Sequence, residues 1–555
     1  VKRLFFILFI TSQFFLIAED REKSQILYMM HVGDSSGAWE RYNAYATTLG
    51  KDDYDLLQEL SMSILEKGAS SSDPEIQLLT LFGAGISINE KNISILENAL
   101  YSNNPQLQIV ALNFLSKQHN DYADEALRVA MASPYVLVRL EAIHSWALQK
   151  HPDAVPQAEA LMAKLGDELK AIFPQIFATI GTERAIRILR RLMNDPDEKV
   201  RIEAVLHAAQ FHRDDLLPQI RTLASHHNNP QQEACATALG IMKDSFALQR
   251  LESLAKAPAL NVKLAAWQAL YSLGQYQWRD NVIQEALKGE LLAVALLSKM
   301  DDTEDVLAKL CNSKNLQIRI NAAIALLEKQ DPRCLPGLYE VLVDDARDLS
   351  LVKIYSQGKS LTAWKAISSS TENLKDEALI KELSISIREA ILRKTIDLPE
   401  EHFLRVAKII FAKQQNDLIP SLVSLLENLG SQEAIDLLKQ HQQKLGAPLI
   451  RRYCTLALYR LKVPGPYSDQ IQDWVREQKQ VDLIRFRPYV PLELRDKESS
   501  YQLTPEETSR LLIESIEALA RSQDRSGLNV IIETIQTGNK KNSYALAGLL
   551  MRATQ

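Results

Sequence analysis

The side chains able to do chemistry are few and scattered. Cys235, Cys311, Cys334 and Cys454 are separated by 76, 23 and 120 residues. No C-x-x-C pair is among them, so the spacing of a zinc ribbon or a thiol redox site is missing. They read as small buried hydrophobes rather than a disulfide framework. His226 and His227 are adjacent, in the turn His226-His227-Asn228-Asn229-Pro230, and sequence neighbours rarely ligate one metal together. His144 and His151 are spaced to share a helix face, but Pro152 follows at once and blurs it. Gly33 and Gly37 lack the spacing and the Lys-Ser ending of a phosphate loop, and neither H-E-x-x-H nor G-x-S-x-G occurs. Asp301-Asp302 and Asp344-Asp345 fall in expected turns, where helix capping accounts for them. No catalytic, cofactor-binding or metal-binding residue is assigned, and the expectation is a non-enzyme that carries no cofactor.

Recurrence is the stronger signal. Val138-Arg139-Leu140-Glu141-Ala142 and Val200-Arg201-Ile202-Glu203-Ala204 are nearly identical and start 62 residues apart. Related pentads begin at Val262 and Ile318, and weaker copies at Ile76, Leu107, Leu169, Gln232 and Leu291. A period of about thirty residues signals repeats rather than separate globular domains. Within a unit, Val200, Ala204, Val205, Ala208 and Phe211 trace one helix face, and Ala185, Ile186, Ile188, Leu189 and Leu192 trace another before it. Asp195-Pro196-Asp197 separates the two, because Pro ends one helix and Asp caps the next. Each unit is a helical hairpin, and one hairpin cannot bury its apolar face alone, so the hairpins must stack.

Composition agrees. The 555 residues carry 64 Lys and Arg against 70 Asp and Glu, a formal charge of −6, with 46% hydrophobic and 24% charged residues. Those values disfavour disorder and a polytopic membrane protein. Only 19 Gly and 20 Pro disfavour a many-stranded sandwich or barrel. Lys2 and Arg3, the apolar run Leu4 to Ile17 and Ala18 before Glu19 and Asp20 read as a secretory signal peptide. It is expected to be cleaved after Ala18 or, because Leu16 at the −3 position is large, retained as an anchor. Val1 reads as a bacterial alternative start, and the expected location is the bacterial envelope or outside the cell.

The segment Asp195-Pro196-x-x-x-Val200-Arg201-x-x-Ala204, with Ala208 following, resembles the second half of a HEAT repeat, particularly the short bacterial form of phycobiliprotein lyases and related scaffolds. The resemblance implies an all-α fold, an alpha-alpha superhelix of the HEAT/armadillo type. It implies that Asp195 pairs with Arg201, and that Arg139 and Arg319, which follow Ser133 and Ser313 by the same six residues, staple repeats in a similar way. It also implies that the second helix of each hairpin lines a concave face. The residues three and six after the register position would point there: Val110, Asn113, Glu141, His144, Glu203, Leu206, Ala265, Gln268, Asn321 and Ile324, none of them Lys or Arg. The apolar residues two after it, Ile109, Leu140, Ile202, Leu264 and Ile320, are expected to pack between repeats.

The expected organisation is a signal peptide at 1–18, an N-terminal helical cap at 19–69, HEAT-like repeats at 70–345, degenerate helical repeats at 346–462, a Pro-interrupted loop region at 463–503 and a C-terminal helical cap at 504–555. Thr504-Pro505-Glu506-Glu507 supplies the cap, the first-turn Pro and the carboxylate that open a helix. The function expected is an exported protein-binding scaffold, with Glu141, His144, Glu203, Leu206 and Gln268 on the concave face and Tyr276 and Trp278 beyond it as partner-binding candidates. The alternatives are a lyase-like or chaperone-like holder of a small apolar cofactor and a nucleic-acid-binding solenoid. The last needs a basic track, which the groove residues lack.

Overall fold

In the computed structural model, residues 20–117, 121–343, 387–484, 503–522 and 524–555 are described. The segment read as a signal peptide, Asp344-Asp345 and most of the Pro-interrupted region beyond residue 484 lie outside them. The fold is all-α: among the described residues there are α-helices and short 3-10 turns and no strand. The chain forms two compact units, one from residues 1–142, 442–490 and 496–555, the other from residues 143–441 and 491–495.

In the second unit helical hairpins follow one another: Glu183–Leu192 with Glu198–Gln210, Leu217–Leu223 with Asn229–Ile241, Leu248–Leu254 with Leu260–Ser272, and Glu304–Leu310 with Leu316–Glu328. The second helices at Glu198–Gln210, Asn229–Ile241 and Leu260–Ser272 pack on one another in succession, through small residues. A Cβ on Gly240 would lie 2.7 Å from the Cα of Ala269, so the two backbones approach more closely than any larger side chain permits. Ala204, Ala208, Ala238 and Ala266 are fully buried in the same layer.

The true period is sharper than the sequence suggested. From Asp73 to Glu290 the residues that cap the second helices, Asp73, Asn104, Gly166, Asp197, Asn228, Ala259 and Glu290, fall 31 or 62 residues apart, and the next, Asn315, follows after 25. Counting three onward places the register at Gln231, which is buried, rather than Gln232, and at the fully buried Ala293 rather than Leu291. A second marker keeps the same step. Lys150, Gly181, His212, Lys243 and Gly274, each ending a second helix, have positive φ and lie 31 apart. One repeat departs from the pattern. Leu169 is 41% exposed, because its helix stops at Lys170 and restarts at Phe173. Pro174 lacks the N–H that would bond the Lys170 carbonyl, and its ring would clash there.

The first unit draws helices from both ends of the sequence. Asn542–Ala553 packs against Tyr54–Ala69 and Pro74–Ser87. A Cβ on Gly548 would lie 2.0 Å from the Gly83 carbonyl oxygen, so here two glycines let the backbones meet. Gln58 donates to the Thr554 carbonyl (2.9 Å), Gln555 to that of Ser87 (3.0 Å), and Lys541 pairs with Glu75 (2.7 Å). The segments read as two separate caps therefore share one core.

Candidate functional site

Several second helices begin in a turn of recurring construction. At 195–201 the Asp195 carboxylate accepts from the Asp197 N–H (3.1 Å), and Asp197 accepts from that of Lys199 (2.8 Å). Arg201 Nη1 then donates to the carbonyls of Asp195 (2.7 Å) and Pro196 (2.9 Å). At 313–319 the Ser313 hydroxyl accepts from the Asn315 N–H, and Arg319 donates to the carbonyls of Ser313 (2.8 Å) and Lys314 (3.1 Å). Gln77 and Gln108 do the same with one bond each, to Ser71 (2.8 Å) and Ser102 (2.6 Å). The expected Asp195–Arg201 ion pair is thus replaced by contacts to backbone oxygens. The Asp195 carboxylate is taken by its own turn and by Lys170 Nζ at 2.6 Å. Arg201 also reaches Gln231 in the next repeat (2.8 Å), and Arg319 reaches Glu340 (2.9 Å). Arg139 differs, because its buried Nε has no hydrogen-bond partner among the described residues.

The partner-binding candidates divide by exposure. Glu203 and Leu206 are half-buried on Glu198–Gln210, and Gln268 is half-buried on Leu260–Ser272. Glu203 lies 3.3 Å from the buried His207. On Val136–Gln149, Glu141 is half-buried and His144 exposed. Of the other expected groove residues, Val110 and Asn113 are half-buried, whereas Ala265, Asn321 and Ile324 are buried. Those three are corrected to packing positions: small residues at the helix contacts draw neighbouring helices over them, and Asn321 Nδ2 bonds back to the Gln317 carbonyl (2.8 Å). In the apolar stripe Leu264 and Ile320 are buried, and Ile109, Leu140 and Ile202 are half-buried.

Tyr276 is 63% exposed, with its ring edge-on to Tyr271 at 5.2 Å. Trp278 is not in a loop. It is the first residue of the helix Trp278–Lys288, its ring stacks on Trp267 at 6.2 Å, and its indole N–H bonds Gln275 (3.0 Å). Its face is therefore spent on packing. Sequence reasoning missed Phe246, 84% exposed under the Arg221 guanidinium at 5.4 Å, in the turn Ser245–Ala247 that joins one hairpin to the next. An aromatic two residues past a turn aspartate, Asp244, was the available signal.

A HEAT-repeat family model matches residues 186–271, the stretch where hairpin, turn and 31-residue step are most regular. The chain is a HEAT-like repeat protein. Solved structures similar to it include the complex of CpcE and CpcF of phycocyanin lyase from Nostoc (19% identity, 38% of this chain and 92% of that one, TM-score 0.30). Another is the karyopherin Kap121p bound to the extreme C-terminus of the protein phosphatase Cdc14p (13%, 93% and 57%, TM-score 0.36), and a third the UNC-45 chaperone (12%, 89% and 59%, TM-score 0.22). The HEAT-like chain spans a little under three fifths of the length of the latter two. The comparison with curated proteins gives no match.

The four cysteines of this HEAT-like protein are buried and free. Burial pushes the thiols of Cys235 and Cys334 up to about 12 and that of Cys311 up to about 11, which leaves them protonated and unreactive at neutral pH. Among the described residues no cluster of His, Cys, Asp and Glu is arranged to hold a metal ion, and no helix is long and apolar enough to cross a membrane. The first unit contains a cavity of about 640 Å³ whose lining mixes Trp39, Ile64 and Tyr544 with Lys67, Lys540 and several serines.

Proposed function

We propose that this chain is an exported, non-catalytic scaffold that holds a protein segment against the second helices of its repeats. The observation that carries the reading is the strip Lys199, Glu203, Leu206 and Gln210. These residues share one side of Glu198–Gln210 and are all at least partly exposed, while the opposite positions Ala204 and Ala208 are buried in the stack. Thr237 and Gln268 extend the strip on the next two second helices. A surface of one cation, one carboxylate, aliphatic carbon and amides suits a peptide segment, which offers carbonyls and N–H groups as well as side chains. It lacks the density of cations that phosphate neutralisation along a nucleic acid demands. The mixed lining of the 640 Å³ cavity gives the apolar-cofactor reading little support. Export rests on the basic start and apolar run of residues 2–18.

The test is photocrosslinking in intact cells from a reactive residue at Glu203 or Gln268, with mass spectrometry of the adduct and of the mature N-terminus. A protein adduct on a chain beginning at Glu19 is the expected result. Glu203→Lys combined with Leu206→Arg should abolish capture while leaving helicity and melting intact. Unchanged capture by that variant would move the binding surface elsewhere, and a chain recovered in the cytoplasm with its first eighteen residues would remove export.

A further inference from the structure

The turn at 445–451 differs from the turns at 195–201 and 313–319, whose arginines bond back to turn carbonyls. Ile450 and Arg451 stand at the register positions of Val200 and Arg201, counted from the residue that precedes each helix, Ala447 and Asp197. Six residues before Arg451 stands Leu445, 84% exposed, where the turns at 71–77, 102–108, 195–201 and 313–319 have Ser or Asp. Arg451 makes no contact with the carbonyls of its turn, and its guanidinium has no hydrogen bond or ion pair among the described residues. The cation that closes the turns at 195–201 and 313–319 is here released from its turn.

Its neighbour adds to the imbalance. Arg452 is half-buried over the Trp474 ring at 5.4 Å, and the one carboxylate near it is Glu477, at 4.0 Å and itself exposed. Burial, followed by the positive charge of Arg451, lowers the Arg452 pKa from the ordinary arginine value. Two like charges are therefore held together, partly out of water, early in the helix Pro448–Arg460, which opens with no capping side chain and no acidic residue in its first turn. Cations at that end of a helix also oppose its dipole.

Both guanidiniums border a cavity of about 460 Å³ whose remaining lining is Gln442, Gln443, Thr455 and Gln470. Among the described residues no carboxylate lines it. Gln442 and Gln470 are bonded to each other (2.9 Å) and the Thr455 hydroxyl donates to the Arg451 carbonyl (2.9 Å), so the walls are fixed while the Arg451 fork stays open. The volume lies within the ordinary range for small-ligand sites. Planar guanidinium forks match the oxygens of phosphate or sulfate in paired hydrogen bonds, and a dianion would neutralise the like-charge pair.

We propose that Arg451 and Arg452, with the amides of Gln442, Gln443 and Gln470, form a binding site for a phosphate-class oxyanion, either free or as the head of a larger phosphate ester. This site is independent of the strip on the second helices. Isothermal titration of the full chain with inorganic phosphate at low ionic strength should show saturable one-site binding. Arg451→Gln should weaken it about tenfold or more, the usual scale for a charge-assisted contact, without lowering the melting temperature of the unliganded protein. Arg452→Gln should weaken it as well, with near-ultraviolet dichroism reporting whether Trp474 has moved. Phosphatidylglycerol vesicles, compared with phosphatidylcholine vesicles, separate the sources. Cosedimentation that phosphate competes away identifies a headgroup, and phosphate binding without cosedimentation identifies a soluble ligand. Absence of saturable binding to both probes, or binding that Arg451→Gln leaves unchanged in a folded protein, would overturn the assignment.

Discussion

Arg201 and Arg451 occupy the same position of the same repeat pattern in the two units and do opposite things. Arg201 is tied to two turn carbonyls and to Gln231, whereas Arg451 touches none of the groups that would tie it. What separates them is the residue six earlier. Asp195 folds its turn by accepting the Asp197 N–H, which brings its own carbonyl under the arginine fork. Leu445 has no side-chain acceptor to do so. Between Arg201 and Arg451 the repeat position is the same, and the turn beside each separates a structural staple from an unspent charge.

The far end of this scale is Arg388, and breaking it should have the largest effect. Its side chain is fully buried, with Nε on the Val341 carbonyl (3.0 Å), Nη2 on that of Leu342 (2.6 Å) and Nη1 on Asp417 (2.6 Å). It closes the C-terminal end of Leu335–Val343, aided by Gln415 on the Val343 carbonyl (2.9 Å). Arg388→Ala should leave those carbonyls and Asp417 without partners and destabilise the second unit by about 3–5 kcal/mol, read by urea unfolding followed at the helical dichroism band. A loss below about 1 kcal/mol, the scale of a surface pair, would mean that carbonyl capping does not distinguish the tied arginines.

Of intermediate size is the site where Arg213 caps the Ala178 and Thr179 carbonyls. Gly181 lies under its guanidinium, and a Cβ there would come within 2.2 Å of the arginine Cζ. Positive φ alone does not demand glycine at this step of the repeat, since Lys150, His212 and Lys243 adopt it with full side chains. Gly181→Ala should therefore cost about 1–2 kcal/mol from the left-handed backbone and a similar amount from displacing Arg213. In an Arg213→Ala background the second part should vanish, a coupling that a double-mutant cycle measures directly. Additive losses would show that the arginine already stands clear of the glycine.

The repeat fold was legible because its signals are local. The Asp-Pro-Asp turn at 195–197, the Val-Arg pentads and the alternation of helix faces all lie within one 31-residue unit. Where a unit lost its apolar marker, the register slipped: Gln231 is polar and buried, and its amide bonds the Leu223 carbonyl (3.1 Å), so hydrophobicity alone placed the copy one residue late. The break before Phe173 was written in Pro174 but masked by the periodicity around it. The joining of the chain's two ends was not legible. It rests on Gly83 meeting Tyr544 and Gly548, hundreds of residues later, and no pattern within a repeat encodes such a meeting. The candidate surface was half legible. Helical spacing placed Glu203, Leu206 and Gln268 where they are partly exposed, but the closeness of neighbouring helices, which buries Ala265, Asn321 and Ile324, is set by small residues on the partner helix.

The smallest expected effect is the one that completes the comparison. Arg201→Ala removes three hydrogen bonds from a half-exposed cation and should cost about 1–2 kcal/mol, discounted from the value for charged donors because water competes for the same groups. Arg451→Ala removes none and should change stability by no more than about 0.5 kcal/mol in either direction, as for an ordinary surface substitution. Because Arg451 also repels Arg452, the sign within that range is expected to be stabilising in the absence of anion. Added salt, which screens like charges, should shrink the gain. Calorimetric melting of both variants beside the unmodified chain, at low and high salt, reads the contrast. Equal losses at Arg201 and Arg451 would mean that the turn at 445–451 holds its arginine as firmly as the turn at 195–201 does, and that the Arg451 charge is not unspent.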